Sequence, residues 1–150
     1  MNPLLNFQPR PYTMINDIPG GAGMVSVMTK GIAASASSDD NQGEVICGIV
    51  KAGTVAAIKF IFDADQTGHA TVTKTLQVIN KGTGGAGTTV IGSLSLTDTD
   101  DYANDIEHAF TLSTTATELV VADGDVLRFN AVMVGNGIAV GKGTVQVEFE

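Results

Sequence analysis

From residue 24 onward the chain alternates between short apolar runs and clusters of Gly, Asp, Asn and Thr. Nine runs have the length and composition of strands: 24–34, 44–50, 55–62, 70–79, 88–96, 108–112, 118–121, 126–134 and 144–149. Period-two alternation is cleanest in two places. Over 88–97, Val90, Leu94 and Leu96 fall on one face, with Thr89, Ile91, Ser93, Ser95 and Thr97 on the other. Near the end, Val145, Val147 and Phe149 oppose Thr144, Gln146, Glu148 and Glu150. The run 55–62 is apolar on both faces, which predicts a strand whose outer side is covered by a second sheet, the N-terminal segment or a partner. Asp123-Gly124-Asp125 and Gly135-Asn136-Gly137 read as tight turns, because Gly takes the positive φ that a hairpin needs. Residues 98–107 alone carry the capping residues of a helical turn.

This spacing predicts an all-β protein, an antiparallel β-sandwich of the jelly-roll kind with an extended N-terminal arm. The expected core is Val90, Leu94, Leu96, Phe110, Leu112, Leu127, Phe129, Val145 and Val147. The boundary falls between an arm, 1–23, and a sandwich domain, 24–150. All four prolines (Pro3, Pro9, Pro11 and Pro19) lie in the arm, and Gly20-Gly21-Ala22-Gly23 forms the joint. The arm also carries Leu4, Leu5, Phe7, Tyr12, Met14, Ile15 and Ile18, too much apolar surface for a solvated tail. Leu4, Leu5, Phe7, Tyr12, Met14 and Ile15 are the expected contacts to a neighbouring protein subunit.

Composition supports strands over helices: 17 Thr, 16 Val and 11 Ile stand against 8 Leu. The formal charge is -8, from 8 Lys and Arg against 16 Asp and Glu. Such a surface repels phosphate backbones and anionic lipid, so neither nucleic acid nor membrane is an expected partner. The single Cys47 lies in an apolar run and reads as a small buried hydrophobe.

Candidate chemistry is sparse. Asp63-Ala64-Asp65-Gln66-Thr67-Gly68 opens like a calcium loop, but Lys74 stands where the closing bidentate Glu belongs. It reads as a polar turn. His69 and His108 have no Cys or second His at ligand spacing. The Gly-rich stretch 82–89 has the outline of a phosphate loop without its Lys. No nucleophile elbow is present, and the carboxylates sit among turn formers. Neither an enzyme nor a cofactor is expected.

Two segments carry a resemblance. Residues 117–150, with the hairpin Leu119-Val120-Val121-Ala122-Asp123-Gly124-Asp125-Val126-Leu127, resemble the closing strands of small β-sandwich head decoration, or cement, proteins of tailed bacteriophages. Residues 75–97, with the turn Val78-Ile79-Asn80-Lys81-Gly82, resemble the middle strands and Gly-rich loop of that group. The likeness spans roughly 44–149 and consists of turns and strand spacing. It implies a structural virion protein on the outer surface of a capsid, a homotrimer whose partner is the major capsid protein. The alternative is a glycan- or receptor-binding module of a phage fibre or tail, for which a chain without Trp supplies few exposed aromatics. Because the Lys74 ammonium would oppose a divalent cation, melting in excess chelator is expected to match melting in millimolar calcium. A large calcium-dependent rise abolished by Asp65→Ala would reverse that expectation.

Overall fold

β-Branched runs punctuated by Gly and Asp turns produce twelve strands in the computed structural model, which describes residues 26–38, 42–49, 51–71, 73–97 and 101–150. They are β1 (Ser26–Ile32), β2 (Gln42–Gly48), β3 (Gly53–Phe62), β4 (Gln66–Thr67), β5 (Thr73–Asn80) and β6 (Thr89–Ser95), followed by β7 (Asp101–Tyr102), β8 (Glu107–Ala109), β9 (Thr111–Leu112), β10 (Val120–Val121), β11 (Val126–Val134) and β12 (Gly143–Phe149). One sheet has the order β1-β12-β3-β10, with β8 also on β3; the other has β2-β11-β5-β6-β9. Pairings within both are antiparallel. Without the two-residue β9 and β10, the layers run β1, β12, β3, β8 and β2, β11, β5, β6. Strands distant in sequence lie side by side, and the chain passes repeatedly between layers. This is jelly-roll connectivity, as the spacing predicts.

One flank is closed by the chain itself. Between β8 and β9, Phe110 donates its N–H to the Ile58 carbonyl at 2.8 Å, and Ser113 N–H reaches the Ile91 carbonyl in the opposite sheet at 2.7 Å. Phe110 is buried at the crossing. In the core, Phe60 packs edge-on to Phe62 (4.7 Å between centroids) and stacks on Phe129 of the other sheet at 5.6 Å. A Cβ at Gly143 would lie 2.3 Å from Phe60 Cε1, so glycine alone lets that ring sit against β12.

Leu96, Phe110, Leu127, Phe129, Val145 and Val147 are buried as expected, while Leu94 and Leu112 pack half-buried at the core's edge. Val90 departs from the expectation. Val78 pairs with Gly92 but Ile79 pairs with Val90, so Ile91 is an extra residue in β6. This bulge reverses the alternation on its N-terminal side: Ile91 is fully buried, and Val90 is half-buried outside the core. Strand β3 keeps one face in the core. Val55, Ile58, Phe60 and Phe62 are buried, whereas Ala56 is exposed and Ala57, Lys59 and Ile61 are half-buried. Its outer side carries Ala57, Lys59 and Ile61, each half-buried.

The helical turn expected over 98–107 is absent from the described part of that segment. Residues 98–100 lie outside the described residues, and 101–109 hold β7, a turn and β8. Tertiary contacts decide this. Tyr102 is buried, its hydroxyl donates to the Ser95 carbonyl at 2.7 Å, and its ring lies 5.9 Å from that of Phe62. The one helical turn among the described residues is a 3-10 turn at Ala116–Glu118.

The bulge yields a direct contrast. Ile91→Ala is expected to cost about 2–5 kcal/mol, and Val90→Ala under about 1 kcal/mol, in denaturant unfolding. Equal costs would remove the bulge; a larger cost at Val90 would restore simple alternation.

Candidate functional surfaces

Leu4, Leu5, Phe7, Tyr12, Met14 and Ile15, the contacts expected from sequence, lie outside the described residues, as does the 1–23 segment they belong to. Within the sandwich, several polar side chains hold turns. Asp125 Oδ2 accepts hydrogen bonds from Ala122 N–H at 2.9 Å and Asn80 Nδ2 at 2.7 Å. Asn80 Oδ1 in turn accepts from Gly82 N–H at 2.7 Å, and Asp123 accepts from the Ala52 N–H. Gly124, at φ 85°, lets the tight turn form, and its N–H donates to the Ile49 carbonyl at 2.7 Å. Ile49 and Ala52, residues 80–82 and residues 122–125 are thereby joined at one end of the sandwich. The Ala122 amide, and then the Asn80 side chain, hold the Asp125 carboxyl below the usual carboxylate range against the opposing effect of burial.

At the calcium-like loop, Asp65 Oδ1 accepts the Asn104 N–H at 2.9 Å, and Gln66 ties Ala139 (3.2 Å) to Gly141 (3.0 Å). Lys74 is nowhere on that loop's rim. It is fully buried on the inner face of β5, where Nζ donates to Ser35 Oγ at 3.0 Å and to the Ala36 carbonyl. Its phase with Leu76 and Val78 carries the signal that sequence spacing alone leaves unused. No three His, Cys, Asp or Glu side chains converge among the described residues. His108 is half-buried, 5.3 Å from the Tyr102 ring and 5.5 Å from that of Phe62, with Nε2 2.9 Å from the Ala103 carbonyl. It is packing. Cys47 is half-buried rather than fully enclosed, and burial pushes its thiol up to about 11, so it stays protonated at neutral pH.

The two outer faces differ in charge. On the β1-β12-β3 face, Lys59 Nζ lies 2.8 Å from both Glu107 and Glu148. Its hydrogen bonds to those carboxylates push its pKa up to about 12. On the opposite face, the register aligns Val45, Arg128, Ile79 and Val90 in one row and Asn130, Gln77 and Ser93 in the next. Arg128 Nη2 donates to the Gly43 carbonyl at 3.2 Å, lying over a glycine that leaves it room. A groove of about 250 Å3 opens between the start of β1 and the end of β12, lined by residues that include Met28, Ile49, Lys51 and Phe149.

No protein-family model and no curated protein sequence matches this chain. Among solved structures, "Structure of infectious bursal disease virus Gx strain" aligns with 83% of this chain at 12% identity and a TM-score of 0.37. The chain spans 32% of the length of that one.

Asp125 sets a pH dependence with a definite sign. A carboxyl depressed by folding contributes its full stabilisation above its unfolded value of about 3.9, and that contribution disappears as pH falls through the lower native value. Asp125→Asn is expected to lower stability at neutral pH by about 1–3 kcal/mol and to flatten the loss between neutral and acid pH. A melting-temperature profile parallel to wild type across that range would remove Asp125 from this role.

Proposed function

We propose that the protein is a structural virion component that binds the outer surface of a bacteriophage capsid as a decoration or cement subunit. The observation that carries the reading is the strand order β1-β12-β3-β8 over β2-β11-β5-β6, a jelly roll, which is an architecture of viral capsid domains. The turn pattern of residues 44–149 resembles phage head decoration proteins and supports the same assignment. Lectins and cupins share the architecture. A sugar platform, however, uses exposed aromatic faces, and the described aromatics Phe60, Phe62, Tyr102, Phe110, Phe129 and Phe149 are all buried.

The mechanism is linkage. A subunit that spans capsid proteins in their expanded arrangement binds that arrangement more tightly than any other, and so stabilises it by its differential affinity. In this reading the protein acts as a homotrimer on the major capsid protein. Residues 1–23 supply the contacts through Leu4, Leu5, Phe7, Tyr12, Met14 and Ile15, with Phe7 and Tyr12 as rigid aromatic anchors. Ordering such an arm costs about 1–2 kcal/mol per residue, which burial at roughly 25 cal/mol per Å2 must exceed.

Co-sedimentation with expanded, undecorated heads tests this. The full-length protein is expected to bind. Deletion of residues 1–19 is expected to leave the sandwich folded and to weaken binding strongly. Wild-type retention of the truncated form would overturn the arm's role. Failure of the full-length protein to bind heads, with binding to a cell-surface glycan instead, would replace the capsid assignment by a fibre module.

A further inference from the structure

The chain leaving β1 consists of small residues, Ala33-Ala34-Ser35-Ala36-Ser37-Ser38. Ser35 is buried, and the other five are exposed. Such a segment buries little apolar area, so the hydrophobic effect contributes little to keeping it in place. Beside it lies a cavity of about 10 Å3 whose lining includes Ile32, Ser35, Phe129 and Val140, so the packing there is incomplete. Polar contacts supply the attachment. Ser35 and Val140 exchange two backbone hydrogen bonds, each of 2.9 Å. The Ser37 carbonyl sits so close to Gly137 that a Cβ there would come within 2.3 Å of it. The fully buried Lys74 donates from Nζ to Ser35 Oγ at 3.0 Å and to the Ala36 carbonyl. Lys74 stands near the start of β5, whose last residue, Asn80, is bound to Asp125 at the other end of the sandwich. The surface under the segment is itself fixed, because Gln66 holds the Ala139 carbonyl and the Gly141 N–H on either side of Val140.

We propose that residues 33–38 form a strap that opens as a local unit while the sandwich stays folded, and that Lys74 is the latch that holds it shut. An ammonium out of water is stable only while acceptors surround it, and the strap supplies Ser35 Oγ and the Ala36 carbonyl. When the strap lifts, water takes their place at the nitrogen, so opening breaks those bonds without stranding a charge. A segment with few buried apolar contacts, held by exchangeable hydrogen bonds, belongs to the low-stability end of a fold. This concerns the free chain and does not depend on the capsid assignment.

The wild-type, full-length protein carries the probes for a test. Native-state hydrogen exchange reads the Ser35 and Val140 amides, and acetylation by acetic anhydride, followed by peptide mass analysis, reads the Lys74 amine. Relative to their intrinsic rates, all three are expected to become accessible to the same extent and with little dependence on urea, since a local opening exposes little surface. The Phe129 and Val147 amides, in central strands, are expected to be slower and to accelerate steeply with urea. Lys74 acetylation that follows Phe129 and Val147 in rate and urea dependence would overturn the proposal, because global unfolding alone would then uncover the amine. Lys74→Met is expected to speed exchange at Ser35 and Val140 by about tenfold or more. Unchanged exchange at both amides in that variant would remove Lys74 as the latch.

Discussion

The position of the Phe60 ring against Gly143 is the constraint on which the rest of the sandwich depends. β3 and β12 lie side by side, and the ring occupies the space that any side chain at 143 would need. From there Phe60 spans the layers to stack on Phe129 of β11, setting the depth of a core that otherwise consists of Ile, Val and Leu. The complementary fit recurs at Gly92, where a Cβ would come within 3.0 Å of Ile58 Cδ1 from the facing sheet. A chain without Trp fills its interior by setting large residues of one layer against glycine or small residues of the neighbouring strand. A methyl group at 143 would meet both the Phe60 ring and the Ile61 carbonyl, so neither a rotamer change nor a small sheet movement relieves it alone.

The two flanks are held by unlike means. At the β8–β9 flank one short stretch of chain crosses from sheet to sheet through Phe110, with backbone hydrogen bonds to both layers. At the other flank the link between β1 and β2 includes an ion pair of Lys30 with Glu44 at 3.7 Å and the Ala33 N–H donated to Glu44 Oε1 at 3.0 Å. Both ion-pair partners are substantially exposed, so the pair contributes little free energy. In its sheet, β1 has β12 as its strand partner. Among the described residues it is an edge strand, and Lys30 on it is the kind of residue that keeps such an edge from pairing indiscriminately.

Much of this fold was legible in the sequence, because most strands obey period two and their turns contain Gly or Asp. β11 runs from Val126 to Val134 as the pattern places it, and the Gly124, Gly135 and Gly137 turns adopt the positive φ that their composition implies. What escaped has identifiable causes. The β6 bulge is a one-residue event that leaves composition unchanged yet exchanges Val90 for Ile91 in the core. Tyr102 and its neighbours carry capping residues, but the Tyr102 hydroxyl finds its acceptor on Ser95 and its ring finds Phe62, and this burial outweighs local preference. Lys74 looks like the end of a polar loop in one-dimensional spacing. Only the phase of β5 discloses that it points inward among Leu76 and Val78. The six arm residues read as contacts come from composition alone and fall outside the described residues.

The acidic character of the chain acquires a structural meaning from Asp125, Asp123 and Asp65. A carboxylate used for acid–base chemistry needs a proton affinity raised toward neutrality, through burial without donors or through a like charge nearby. Asp125 has the reverse environment: an amide and a carboxamide donate to it, and its carboxyl is lowered as a result. Asp123 and Asp65 likewise accept backbone amides that a β-turn would otherwise leave unmet. On the β3 face, Glu107 and Glu148 share one lysine. Side chains committed in this way stabilise loops and a sheet surface while keeping the molecule anionic.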